Sequence, residues 1–151
     1  MIPSVSEVLA EWQGHGVAFL YPDAWELSEA SDGDDVIVTV AADESCFWIL
    51  RIFADSPRPS EVIASCLEAF QEEYDELEIR ETSERLAEMP AQGQELEFSC
   101  YELLNTIELR SVRTLEMTLL VWWQATDHEL HTVRPHFDAM MQSVRILSMS
   151  S

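Results

Sequence analysis

Lysine is missing from this sequence altogether. Its 151 residues carry eight cationic side chains, all of them arginine, against 29 aspartates and glutamates, for a formal net charge of −21 at pH 7. Nucleic acid binding draws its affinity from counterions released by Lys and Arg contacts, so this surface repels the polyanion. Anionic membrane surfaces are excluded on the same ground. The charge favours encounters with basic partners; its plainest role is to keep the chain soluble.

Glycine is scarce as well. Four glycines, with no G-x-G-x-x-G and no P-loop, leave no phosphate cradle. The three cysteines, Cys46, Cys66 and Cys100, form no C-x-x-C pair and sit among apolar neighbours. Reduced cysteine behaves there as a small core residue, which points to a reducing, cytoplasmic setting, although three thiols leave room for one disulfide. Residues 1–13 lack the basic and apolar regions of a signal peptide. No apolar run approaches the ~20 residues needed to cross a bilayer. Internal repeats, linkers and low-complexity segments are absent too.

What is present is ample core material, 47% hydrophobic residues. One domain over residues 1–151 follows, with residues 1–15 as an N-terminal helix or arm and 148–151 as a frayed tail. Ser4 and Glu7 have capping-box spacing before Val8, Leu9 and Trp12, which predicts a short helix over 4–12, broken by Gly14 and Gly16. Residues 17–21 read as a strand stopped by Pro22, and 25–27 begin another extended piece. Ser31-Asp32-Gly33-Asp34 is a turn cluster, followed by the β-branched run 36–40.

Two runs, 47–53 and 117–123, are apolar on both alternating faces apart from Arg51. Such strands have to be covered front and back. Residues 96–100 and 107–110 instead alternate, with Glu95, Glu97, Glu108 and Arg110 on the faces expected to meet water. Residues 89–93 and 102–105 read as turns.

Pro59 or Ser60 starts a helix whose stripe is Ile63, Cys66, Leu67, Phe70 and Tyr74, with Glu61, Glu68 and Glu72 on its other side. The closing helix carries Leu130, Val133, Phe137, Met140, Met141 and Val144. Thr126-x-x-Glu129 has capping-box form there, with Asp127 a competing cap. Pro135 either kinks that helix or marks its start. The order strands, helix, strands, helix gives an α+β fold, a three-layer α/β/α sandwich around a mainly antiparallel twisted sheet.

Residues 16–25, Gly-Val-Ala-Phe-Leu-Tyr-Pro-Asp-Ala-Trp, resemble the opening of the PsbP-like superfamily, in which a strand ends at Tyr-Pro and a Trp follows shortly after. The closing stretch 137–144, with Ser143, is similar to that superfamily's last helix. The superfamily includes photosystem II PsbP, DcrB proteins, a Ran-binding nuclear transport factor and adaptor chaperones of secretion. The resemblance implies the same sandwich, a non-enzymatic accessory or binding role, and structural duties for Pro22 and Trp25. It carries over no catalytic residues.

Chemistry-bearing groups are few. His128, His131 and His136 lie close in sequence with Asp127, Glu129 and Asp138, and the first two, a helical turn apart, could share a zinc ion. No second ligand pair accompanies them, so they read as polar residues on an outer helix face, and no metal, cofactor or catalytic residue is assigned. No G-x-S-x-G elbow is present. Trp48, Trp122 and Trp123 fall on central strands, and the adjacent pair faces opposite layers. They read as core. If one sheet face is left partly open, a Trp with apolar neighbours lines a groove for a hydrophobic segment. The expected function is an acidic protein-binding or accessory module whose partner is a basic or hydrophobic segment. The alternative is a secretion-type chaperone holding a hydrophobic client, and oligomeric state is open.

Overall fold

The two runs without a polar face lie side by side at the middle of a seven-stranded sheet. The structure, a computed structural model, describes residues 8–43 and 45–147. Its first five strands are β1 (Leu9–Gly14), β2 (Val17–Pro22), β3 (Glu26–Asp32), β4 (Asp35–Asp43) and β5 (Cys46–Phe53). Helix α1 (Pro59–Glu73) leads to β6 (Glu78–Thr82), the short pair β7 (Arg85–Leu86) and β8 (Met89–Pro90), then β9 (Gln92–Cys100), β10 (Leu103–Arg113) and β11 (Thr118–Thr126). Helix α2 (Asp127–Ser143) and β12 (Arg145–Ile146) close the described chain.

The large sheet is antiparallel throughout, in the order β3-β4-β5-β11-β10-β9-β6. Trp123 pairs with Trp48 and Val121 with Leu50 across the β5–β11 seam. These side chains, with Val38, Val40, Leu119 and Ala125, are fully buried against α2. Ile107, Leu109, Leu96 and Phe98 point the other way and pack under α1 with its predicted stripe. Two helices on opposite faces of one antiparallel sheet make the expected α+β sandwich.

Helix α1 begins as its sequence dictates, with Pro59 in the first turn, where a missing N–H costs nothing. Helix α2 runs unbroken through Pro135. The proline deprives the His131 carbonyl of its partner four residues on, but both residues lie on the exposed flank, where water replaces the lost bond. Thr126 stands at the N-cap, yet its hydroxyl donates to Glu129 Oε1 at 2.9 Å rather than capping a backbone N–H.

The predicted helix over 4–12 is not formed where it can be seen. Ser4 and Glu7 lie outside the described residues, and Leu9–Gly14 is a strand paired with β2. Tertiary packing overrides the capping signal here. Trp12 sits directly opposite Phe19 and stacks on it at 5.6 Å, and a two-residue His15-Gly16 turn with both φ positive matches the twist of the hairpin. This hairpin, extended by β12, forms a small second sheet beside α2. The 102–105 turn is likewise shifted: Tyr101 and Glu102 form the bend, and β10 already begins at Leu103. In the 89–93 stretch, Met89–Pro90 forms β8 and Gln92 opens β9.

The positions shared with the PsbP-like opening do structural work. Pro22 ends β2, and Trp25 packs edge-on against Phe137 at 5.6 Å. Ser143 fastens α2 to β2: its Oγ accepts the Leu20 N–H at 2.9 Å and donates to the Met140 carbonyl at 2.7 Å. Among the described residues, no helix is long and apolar enough to cross a membrane.

Candidate functional site

Helix α1 lies over β9, β10 and β11 and stops short of β4 and β5. Along β5 one face, Cys46, Trp48, Leu50 and Ile52, is buried, whereas Phe47, Ile49, Arg51 and Phe53 on the other are only half-buried. The uncovered strip is a groove of about 770 Å³. Ile37, Ile49, Leu120 and Trp122 form its floor and Val62, Cys66 and Phe70 its wall on α1. Trp122 is held edge-on by Phe47 at 5.5 Å and Phe70 at 5.6 Å. The expectation that both faces of 47–53 are shielded therefore fails on one face. The reason is geometric: one helix is about 10 Å wide, strands lie about 4.8 Å apart, and α1 cannot span seven of them.

Arg51 closes one end of the groove. Its guanidinium donates to Asp32 at 3.0 Å and Asp35 at 2.9 Å, and stacks 4.7 Å above the Phe53 ring. Burial would raise the Asp35 carboxyl, but the Arg51 hydrogen bond and the Ala54 N–H together hold it below its ordinary value. The Cys66 thiol on the wall is pushed up to about 11 by burial, so it stays protonated at neutral pH.

A second, polar recess of about 410 Å³ lies on the opposite face, beside α2. Glu108 and Glu95 sit directly across the β9–β10 ladder, and Arg80 pairs with Glu95 one strand further out. Arg110 binds Glu108 at 2.6 Å, Arg80 binds Glu95 at 2.8 Å, and Arg134 reaches Glu95 at 3.6 Å and Glu108 at 4.0 Å while lying over Trp123. The Glu108 side chain is only 3% exposed. Desolvation raises its carboxyl despite the opposing pull of Arg110 and Arg134. The polar face of β10, expected to be wet, is thus covered at Glu108, because α2 lies over that strand, while Glu95 on β9 is half-buried beneath the Arg80 and Arg134 side chains. The sequence held one signal for this recess: carboxylates and an arginine on the same face of two successive strands.

The histidines do not form a centre. His128 and His131 are exposed, and His136 is half-buried with its ring 5.4 Å from Trp25. Asp127 lies 3.9 Å from His128, and Asp138 belongs to the polar recess. Glu129 is drawn toward the β4–β5 turn, where it accepts from the Ser45 hydroxyl at 3.0 Å. No three metal-ligating side chains converge among the described residues. All three cysteines are free thiols, and burial, with Glu129 and Asp43 nearby, pushes Cys46 up to about 12.

No protein-family model matches the sequence, and no curated protein matches it either. Solved structures do. PsbP (CyanoP) from the cyanobacterium Synechocystis superimposes with a TM-score of 0.56 at 16% identity, covering 95% of this chain and 94% of that one. LpqN of Mycobacterium tuberculosis, involved there in cell envelope biogenesis, gives 0.54 at 14% identity over 95% of this chain and 91% of its own. A Pseudomonas aeruginosa protein of unknown function gives 0.55 at 13% identity over 95% and 99%. At these identities the likeness is one of fold, and the fold is PsbP-like.

Proposed function

We propose that this chain is a non-catalytic binding module whose working surface is the apolar groove between α1 and β4–β5. The observation that carries the reading is a pre-formed, open apolar strip on the helix α1 face of the sheet, beside the strands that α1 covers. Pockets that bind ligands are concave, mostly apolar and fitted with few polar groups, and here Arg51 is the one cation among the lining residues. The groups best suited to chemistry are occupied otherwise: Cys66 is held as a thiol, and Arg51 is engaged by two carboxylates. Neighbours in fold include a candidate regulator and a protein involved in cell envelope biogenesis, which suits an accessory role. Three free thiols suit a reducing, cytoplasmic setting. A chaperone or adaptor that holds a hydrophobic client segment is the narrower form of this reading, favoured by the apolar lining.

The neutral dye Nile red tests the surface itself. The wild-type protein should bind it saturably, with a blue shift. Ala69→Trp, which places a large ring in the groove from an exposed helix position, should remove the binding without lowering the thermal midpoint. Unsaturable binding, or binding unchanged in A69W, would show that the groove is not the working surface.

A further inference from the structure

We infer that the occupant of this groove is an apolar segment of another protein flanked by Lys or Arg side chains. The inference rests on the groove being the binding surface and adds the chemistry of what it takes. Both banks of the groove are acidic. On α1, the positions 61, 65, 68 and 72 follow one helical flank, and they are Glu61, Ser65, Glu68 and Glu72, all exposed; Glu61 and Ser65 line the groove directly. On the opposite bank the β3–β4 turn presents Asp32 and Asp35. Asp32 is 69% exposed even while it pairs with Arg51, so its carboxylate remains open to a second cation.

Arg51 offsets one of these two carboxylates, so the Arg51–Asp32–Asp35 group still leaves one net negative charge on that bank. An incoming segment thus meets an apolar floor between negative rims. Burying an acidic residue against those rims places like charges together, whereas Lys or Arg at the edges of an apolar stretch pairs with Asp32 and Glu61 and is steered in by the field. A second copy of this chain fits poorly, since each copy brings −21 and the same acidic banks. A lipid surface is disfavoured by its own negative charge.

Three synthetic peptides distinguish the possibilities: Leu with Lys, Leu with Glu, and Ser with Lys, the two residue types placed at helical spacing in each. Binding is followed by Trp fluorescence at low and high NaCl. The Leu–Lys peptide should bind, weaken on the order of tenfold with salt, and exceed the Leu–Glu peptide by at least that factor. Asp32→Asn with Glu61→Gln should narrow that preference. Asp23→Asn with Asp127→Asn, which removes the same charge from exposed positions outside the groove lining, should leave it unchanged. A69W should abolish binding of the Leu–Lys peptide. Equal, salt-independent binding of the two Leu peptides would leave the groove reading standing and overturn the basic partner. Equal binding of the Ser–Lys peptide would overturn it too, by showing attraction without the groove. Sedimentation showing a dimer that A69W dissociates would assign the groove to a second copy and overturn the inference. No binding of any peptide, together with no Nile red binding, would remove the groove reading itself.

Discussion

In the transverse row Trp48–Trp123–Glu108–Glu95, the sheet passes from two buried indoles to two carboxylates that face each other directly. Like charges opposite one another destabilise a ladder, and arginines from three elements offset the repulsion: Arg80 on β6, Arg110 on β10 and Arg134 on α2. Arg110 bears most of that duty toward Glu108, with its side chain 11% exposed and two nitrogens on one carboxylate oxygen. Arg110→Leu leaves the buried Glu108 with only Arg134, at 4.0 Å, to balance its charge, a defect of about 3 kcal/mol. Its pH dependence has a definite sign. The Glu108 carboxyl, already raised by burial, is raised further in the variant. The folded state then holds a proton that the unfolded chain has released, so stability falls as pH rises from the unfolded glutamate value. Urea titrations should show the deficit of R110L greatest near neutrality and shrinking toward about pH 5, and the added change Glu108→Leu should restore much of the loss. A deficit independent of pH would mean that Arg110 acts through packing alone.

At the scale of elements, the hairpins differ in how well their turns suit them. The β1–β2 turn uses His15-Gly16, and Gly16 takes its positive φ at no cost. The β9–β10 turn has the same two-residue geometry but is made of Tyr101 and Glu102, at φ 52° and 65°. Tyr101 is 95% exposed, so no packing compensates its left-handed conformation. Replacing the pair by Asn-Gly, which suits this turn, should stabilise the protein by about 1–2 kcal/mol. An unchanged urea midpoint would show that the strain is relieved elsewhere. The same balance places Leu9–Gly14 in a strand rather than in a helix. A capping box is a local signal worth about 1 kcal/mol, whereas Trp12 gains a ring stack and burial by lying across from Phe19. The two central strands were legible because each lacks a face that tolerates water, and that property survives any arrangement of the neighbours.

For the whole molecule, charge sets the conditions of stability. A net −21 makes the folded state repel itself, more so than the expanded unfolded chain. Screening should therefore raise the thermal midpoint by a few degrees between about 0.05 and 0.5 M NaCl, since the Debye length falls below about 10 Å over that range. A midpoint that falls with salt would mean that ion pairs such as Arg51–Asp35 and Arg110–Glu108 outweigh the repulsion. The sandwich, its central strands and the stripes of both helices were set by the sequence alone, because hydrophobic periodicity is written in the order of residues. Where α1 comes to rest was decided only by packing. One helix covers part of a seven-stranded sheet, and no local pattern states which strands it leaves bare. That placement turned the half-apolar face of β5 into a groove, and on the opposite face the packing of α2 over β10 joined Glu95, Glu108, Arg110 and Arg134 across separations that periodicity cannot see.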